Sequence, residues 1–210
     1  GGNAALGQAT QAATGAVIGA LGLVAVGGVM LAPLLARVLV VAEPSSAVAS
    51  SKIDLIVPMT LVFVPQLVFY GIATVTSAAL NAKGRYVAAA LAPAVNNVVV
   101  IVACVAFRAA RDGEAASLDL TKVQFVTIAG GTTLGVIAFS LTPALVLRSA
   151  GVRWWPRWDP RHSAVVAMRR SFGWATLSIV GTLVPTAAAI ALGNGAPGGV
   201  AVFFYVFAYY

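Results

Sequence analysis

The sequence predicts an all-α integral membrane protein, a polytopic helical bundle with about five complete spans and one partial span. Three observations predict it. Of 210 residues, 60% are hydrophobic and only 9% charged, with a mean hydropathy of +0.95, where a soluble domain carries roughly 25% charged residues. The apolar residues come in runs of about 20 or more, the length that crosses a hydrocarbon core. The charges lie between those runs, so the net charge of +7 is an account of membrane topology and not of nucleic-acid binding.

The first span is expected at residues 13–41, broken by Pro33 and rich in small residues, with Gly15-x-x-x-Gly19 and Gly27-Gly28. Small residues let helix backbones approach closely. Arg37 lies near its far end, within snorkelling reach of the interface. A polar loop leads to the second span, 53–80, which contains Pro58, Pro65 and Gln66. A short basic elbow, 81–86, precedes the third span, 87–107, with Pro93 and the adjacent amides Asn96 and Asn97. The fourth span, 123–147, holds Gly130, Gly131, Gly135 and Pro143. A long basic segment with Trp154, Trp155 and Trp158 then leads to the fifth span, 171–192, which contains Pro185. A glycine-rich turn opens a partial span, 199–210, and both ends read as cuts through a longer protein. Every complete span carries a proline. Transmembrane helices tolerate proline because neighbouring groups satisfy the freed carbonyls, and opened helices are also where transporters place polar cargo sites.

Loop charge orients the bundle. Lys83 and Arg85 make the 81–86 elbow +2, and six arginines against Asp159 make 148–170 +5. Lys52 against Glu43 and Asp54 leaves 42–54 at −1, and three basic against three acidic residues leave 108–122 neutral. Positive loops alternate with the others, as the positive-inside rule requires of alternating helices. The elbow 81–86 and the segment 148–170 are therefore expected in the cytoplasm, and 42–52 and 108–122 outside it.

Catalytic chemistry is not visible. All six acidic residues lie in or beside loops, which leaves no paired carboxylates within a span for acid–base work. His162 is the only histidine and Cys104 the only cysteine, so no metal set forms and no cofactor is implied. Gly193 to Gly199 lacks the lysine of a phosphate loop. What remains is uncharged polarity inside the spans or just before them. Gln8, Thr10, Gln11, Thr14, Thr132 and Thr133 belong to this set. Single threonines usually bond their own helix. Gln66, Asn81, Asn96 and Asn97 are structural polar candidates, and the Asn96–Asn97 pair stays open between interhelical glue and the lining of a polar cavity. Arg153-Trp154-Trp155-Pro156-Arg157-Trp158 reads as an interfacial anchor, with indoles at headgroup level and arginines on anionic lipid. The same segment can instead collect an anionic, lipid-linked cargo. Arg169, Arg170, Thr176 and Thr182 are candidates for a substrate path along the fifth span.

Three stretches carry a family resemblance. The first is residues 77–101, with Ala78-Ala79-Leu80-Asn81, the Lys83-Gly84-Arg85-Tyr86 elbow, Ala92-Pro93 and Asn96-Asn97. The second is Gly131-Thr132-Thr133-Leu134-Gly135, followed by Ala150-Gly151 and the Trp/Arg segment; the third is Gly173-Trp174 and then Gly198 to Ala201. Together they resemble the MurJ/MviN family, lipid II flippases of the MOP exporter superfamily. The resemblance implies a chain covering the third to seventh of fourteen helices and the start of the eighth. Residues 1–160 would belong to the N-terminal lobe and 161–210 would open the C-terminal lobe. It implies movement of a polyprenyl diphosphate-linked cell-wall precursor to the outer leaflet of the bacterial cytoplasmic membrane by alternating access. Membrane lipids and cell-wall synthesis proteins are the implied partners, and another MOP-type export function or a transport-inactive scaffold are the alternatives. The family's cavity arginines belong mainly to its first, second and eighth helices. This sequence also departs from the family at Ala89, where a proline is often found, at Leu183, where many members have glutamine, and at Ala208, where some have arginine.

Overall fold

A computed structural model describes residues 2–113, 117–196 and 198–209, without the side chains of Ser171, Trp174, Ala175, Ala208 and Tyr209. Glu114, Pro197 and the side chains of Trp174 and Ala208 thus lie outside the described residues. Every regular element described is helical. Five stretches are long and apolar enough to cross a membrane: Gly2–Met30, Ser46–Ala82, Tyr86–Ala110, Lys122–Ser149 and Thr176–Gly193.

The first span is two helices, α1 (Gly2–Met30) and α2 (Ala32–Leu39), with Pro33 in the opening turn of α2. Proline suits that position because the N–H it lacks would have no helical acceptor there. The helix starts at Gly2, well before residue 13, so Gln8, Thr10 and Gln11 belong to the helix itself. The second span is α3 (Ser46–Phe63), a 3₁₀ turn at Val64–Gln66 around Pro65, and α4 (Leu67–Ala82). The third is α5 (Tyr86–Ala110). The fourth opens with α6 (Lys122–Phe125), passes through a π-helical turn at Val126–Gly130, and continues as α7 (Gly131–Ser149). That wide turn was not foreseen from the sequence; one extra residue per turn rotates everything beyond it by about 100°. The last helices are α8 (Ser163–Gly193) and α9 (Gly199–Tyr209). Because α8 starts at Ser163, Arg169 and Arg170 sit on the helix beyond its first turn and not in a loop.

Small residues decide the packing. Gly71 of α4 receives Val17 and Leu21 of α1, and Gly28 receives Val64 of the 3₁₀ turn. α5 and α7 form the most extensive helix pair. Gly131 abuts Ala103, and a methyl at Gly135 would stand 2.8 Å from Asn96 Oδ1 and 3.0 Å from Val100. Gly15 and Gly19 do not serve helix packing as expected. They receive the extended segment that follows α7: the carbonyl of Arg157 presses on Gly15, and the Trp158 ring covers Gly19.

Two helices stop in the same way. α4 ends with Arg85 N–H donating to Leu80 O and Gly84 N–H to Asn81 O, at 3.0 and 2.9 Å, with Gly84 at φ +70°. α7 ends with Val152 N–H donating to Leu147 O and Gly151 N–H to Arg148 O, at 3.2 and 3.0 Å, with Gly151 at φ +74°. Both are left-handed stops that glycine reaches without a Cβ penalty. The residue after the second stop, Val152, packs with Leu147, Leu80 and Ala79 in a buried cluster, against which Leu6 and Trp154 lie. The ends of α4 and α7 and the start of α1 therefore share one end of the molecule, called here the elbow end.

Candidate functional site

Polar chemistry collects at three levels: the elbow end, the middle of the bundle, and the opposite end. At the elbow end Lys83 Nζ donates to Asn3 Oδ1 at 2.9 Å and to the Ala150 carbonyl at 3.1 Å. A cation on the last carbonyls of α7 also complements that helix's dipole. From there residues 152–158 run extended along α1. Arg157 N–H donates to Gln11 O at 3.0 Å, and the Arg153 backbone lies 3.7 Å from where a Cβ on Gly7 would be. Gly7, Gln11, Gly15 and Gly19 repeat every four residues, so they line one face of α1. This strap leaves a cleft of about 410 Å³ lined by Asn3, Gly7, Gln8, Gln11, Arg153 and Arg157. The five anchor residues do not act alike. Trp154 is half-buried against the elbow-end core, whereas Trp155 and Trp158 are 73% and 71% exposed.

At mid-bundle, buried Gln66 donates from Nε2 to Thr133 Oγ1 at 2.7 Å, joining the α3–α4 turn to α7. Thr133 in turn donates to Ala129 O in the π-helical turn at 2.6 Å. Asn96 wedges against Gly135; its Oδ1 is buried with no hydrogen-bond partner, and its Nδ2 reaches Asn97 Oδ1 only at 3.4 Å. Asn97 is exposed, as is Asn81, whose carbonyl serves the α4 stop. Thr10, Thr14, Thr60, Thr74, Thr76 and Thr132 all donate to carbonyls of their own helices.

The opposite end carries a polar cluster that no motif announced. Lys52 Nζ donates to Glu43 Oε2 at 2.5 Å and to Asn194 Oδ1 at 2.9 Å. Asn194 Nδ2 donates to Leu39 O at 2.7 Å and to Ile190 O at 3.0 Å. Three chain segments (the end of α2, the start of α3 and the end of α8) are thus tied at one point. The Lys52 hydrogen bond holds the Glu43 carboxyl below its ordinary range, with a smaller contribution from the Ser45 N–H, against a partial opposing effect of desolvation. An Asn followed by Gly at a helix end, and a Glu and a Lys nine residues apart, were the available signals. Neither names its partner.

The four substrate-path candidates are not brought together. Arg169, Arg170, Thr176 and Thr182 are all exposed on α8. Arg169 and Thr176, seven residues apart, share a face; Thr182 points to another. Thr182 donates to Ser178 O at 3.2 Å, within its own helix. Among the described residues, no group of three or more His, Cys, Asp or Glu could hold a metal.

The family model described as lipid II flippase MurJ matches residues 6–210. The chain belongs to the MurJ family. No curated protein matches it closely enough to add to this. The matched residues include the elbow, the Asn96–Gly135 joint, the strap and the Lys52–Asn194 cluster. As a MurJ-family chain it is a multi-pass membrane protein of a flippase family whose substrate is lipid II, and all five membrane-length stretches lie within the match or begin just before it.

Proposed function

We propose that this chain forms part of a flippase that moves lipid II, the lipid-linked peptidoglycan precursor, from the inner to the outer leaflet of the bacterial cytoplasmic membrane by alternating access. The observation that carries the reading is the match of the MurJ family model over residues 6–210. Charge and geometry support it. The elbow end gathers Lys83, Arg85, Arg148, Arg153 and Arg157, while the opposite end mixes both signs. By the positive-inside rule the elbow end is cytoplasmic and the Glu43–Lys52–Asn194 end is outside. Residues 1–160 then make up part of one lobe and 161–210 open the other. α8, the first helix of the second lobe, is held to the first by the strap at one end and the polar cluster at the other. The polar cluster is the kind of end-on tie that a rocking bundle can make and break, while the strap stays fixed on α1.

The test is depletion of the full-length protein, with lipid II assayed by leaflet. Lipid II is expected to accumulate in the inner leaflet. An unchanged leaflet ratio during depletion would overturn the reading.

A further inference from the structure

We infer that the cleft between the first turns of α1 and the strap binds a phosphate-bearing lipid headgroup. Its lining combines two cationic residues with three amide residues and holds no carboxylate. Arg153 and Arg157 line it together with Asn3, Gln8 and Gln11, whose amides can donate as well as accept. Asn3 Oδ1 is occupied by Lys83, and its Nδ2 lies on the cleft side, 3.8 Å from where a Cβ on Gly151 would be. Among the described residues neither guanidinium has an ion-pair or hydrogen-bond partner, and the ion pair found, Lys52–Glu43, is at the other end of the molecule. Two unpaired guanidiniums beside amide donors favour an anion with several acceptor oxygens, and guanidinium matches phosphate in bidentate fashion.

The cleft is also built in advance. Arg157 N–H is tied to Gln11 O and its backbone rests on Gly15, while Arg153 passes over Gly7. The side chains are therefore displayed from a fixed backbone, which lowers the ordering cost of binding.

Two features point to a lipid as the source of the phosphate. Exposed Trp155 and Trp158 sit on the same strap, and indoles favour the headgroup level. Beyond Gly19, α1 exposes Leu23, Val24 and Val26, an apolar surface along which a lipid tail can lie. The site is thus a headgroup cradle at a membrane interface, and it exists whatever the protein transports.

The experiment is calorimetric titration of the full-length protein in zwitterionic micelles with three probes: inorganic diphosphate, dihexanoyl phosphatidylglycerol and farnesyl diphosphate. Both lipid probes are expected to bind, and each to weaken at least tenfold in the Arg153→Gln/Arg157→Gln double variant. Gln8→Glu, an exposed change that places a carboxylate in the cleft, is expected to give a similar loss with an unchanged melting temperature. Binding should also weaken with salt, because the arginines are exposed. Stronger binding of farnesyl diphosphate assigns the site to prenyl carriers; equal binding of phosphatidylglycerol assigns it to bulk anionic lipid. Binding of inorganic diphosphate alone, no binding by the wild type, or undiminished binding by both variants overturns the inference. These readouts do not involve flipping, so the headgroup site and the flippase reading fail separately.

Discussion

The group formed by α1, α4, α5 and α7 and the helix α8 are similarly apolar yet packed differently. The membrane-length stretch of α8 is as apolar as those of the first group. Yet among the described residues α1 buries seven and α7 six, α5 buries Ala92 and Ala103 within its length, and α8 buries Val165 and Ala191 close to its two ends. Hydropathy does not separate the two because lipid tails and protein cores are equally apolar solvents for a leucine. What separates them is steric. The first group meets through glycines that receive a neighbour: Gly71, Gly131 and Gly135. On α8, Gly173 and Gly181 have nothing within 4 Å of a would-be Cβ.

Substitution at these glycines is the sharpest way to break that comparison. Gly15→Ala puts a methyl into the Arg157 backbone, and backbone cannot swing aside as a side chain can. A loss of about 2–3 kcal/mol is expected in reversible unfolding in detergent, the upper range for overpacking, with Gly22→Ala on the same helix as the neutral control. If both behave alike, the strap does not lie in the α1 groove in the folded protein.

Gly135→Ala should cost less, about 1–2 kcal/mol, because Asn96 and Val100 can yield by a few tenths of an ångström. Gly181→Ala on α8 should be neutral or slightly stabilising by helix propensity. Equal destabilisation at the two sites would erase the distinction between a packed group and a lightly held helix.

Gln66→Leu removes the hydrogen bond from the α3–α4 turn to α7 and strands the Thr133 hydroxyl only partly, since that hydroxyl also bonds to Ala129 O. The expected loss is about 0.6–1 kcal/mol, the usual range for a polar contact between membrane helices. A larger loss would mean that the pair holds the π-helical turn in place as well.

The smallest effect is expected at the end of α8. A double-mutant cycle of Lys52→Ala and Asn194→Ala should show a coupling of about 0.5–1 kcal/mol. The Glu43 part is pH-dependent. Because its folded pKa lies below 4.5, its contribution is complete above that value and is lost as pH falls through the folded pKa. Spectroscopic distances between labels on α3 and the end of α8 should therefore stay constant from pH 8 to 6 and change only in acid. A change centred near pH 6.5 would implicate a different group.

Much of the architecture is legible in the sequence alone. The spans, the elbow stop at Gly84 and the loop-charge alternation are local properties, set by residues within one helix or one turn. Gln66 was visible as a polar group that needed a partner, but Thr133, 67 residues away, was not. The Trp/Arg segment read as a membrane anchor, and nothing in it announced that Trp154 would join the core while Arg157 docked its backbone on Gly15. The substrate-path residues on α8 stand out in the sequence by residue type, which carries no information about facing; Thr182 points away from Arg169 and Thr176.

The sequence by itself determined that the chain crosses a membrane several times, where it turns, and which of its ends is basic. Those follow from the free energy of placing each residue in hydrocarbon or water, a term that sums along the chain. Only the tertiary structure decided which glycines are contacts, where the strap lies, and that Glu43, Lys52 and Asn194 meet. Those depend on which backbones approach within a methyl's width of one another. That is a property of pairs of segments far apart in the chain, and one-dimensional hydrophobicity leaves it open.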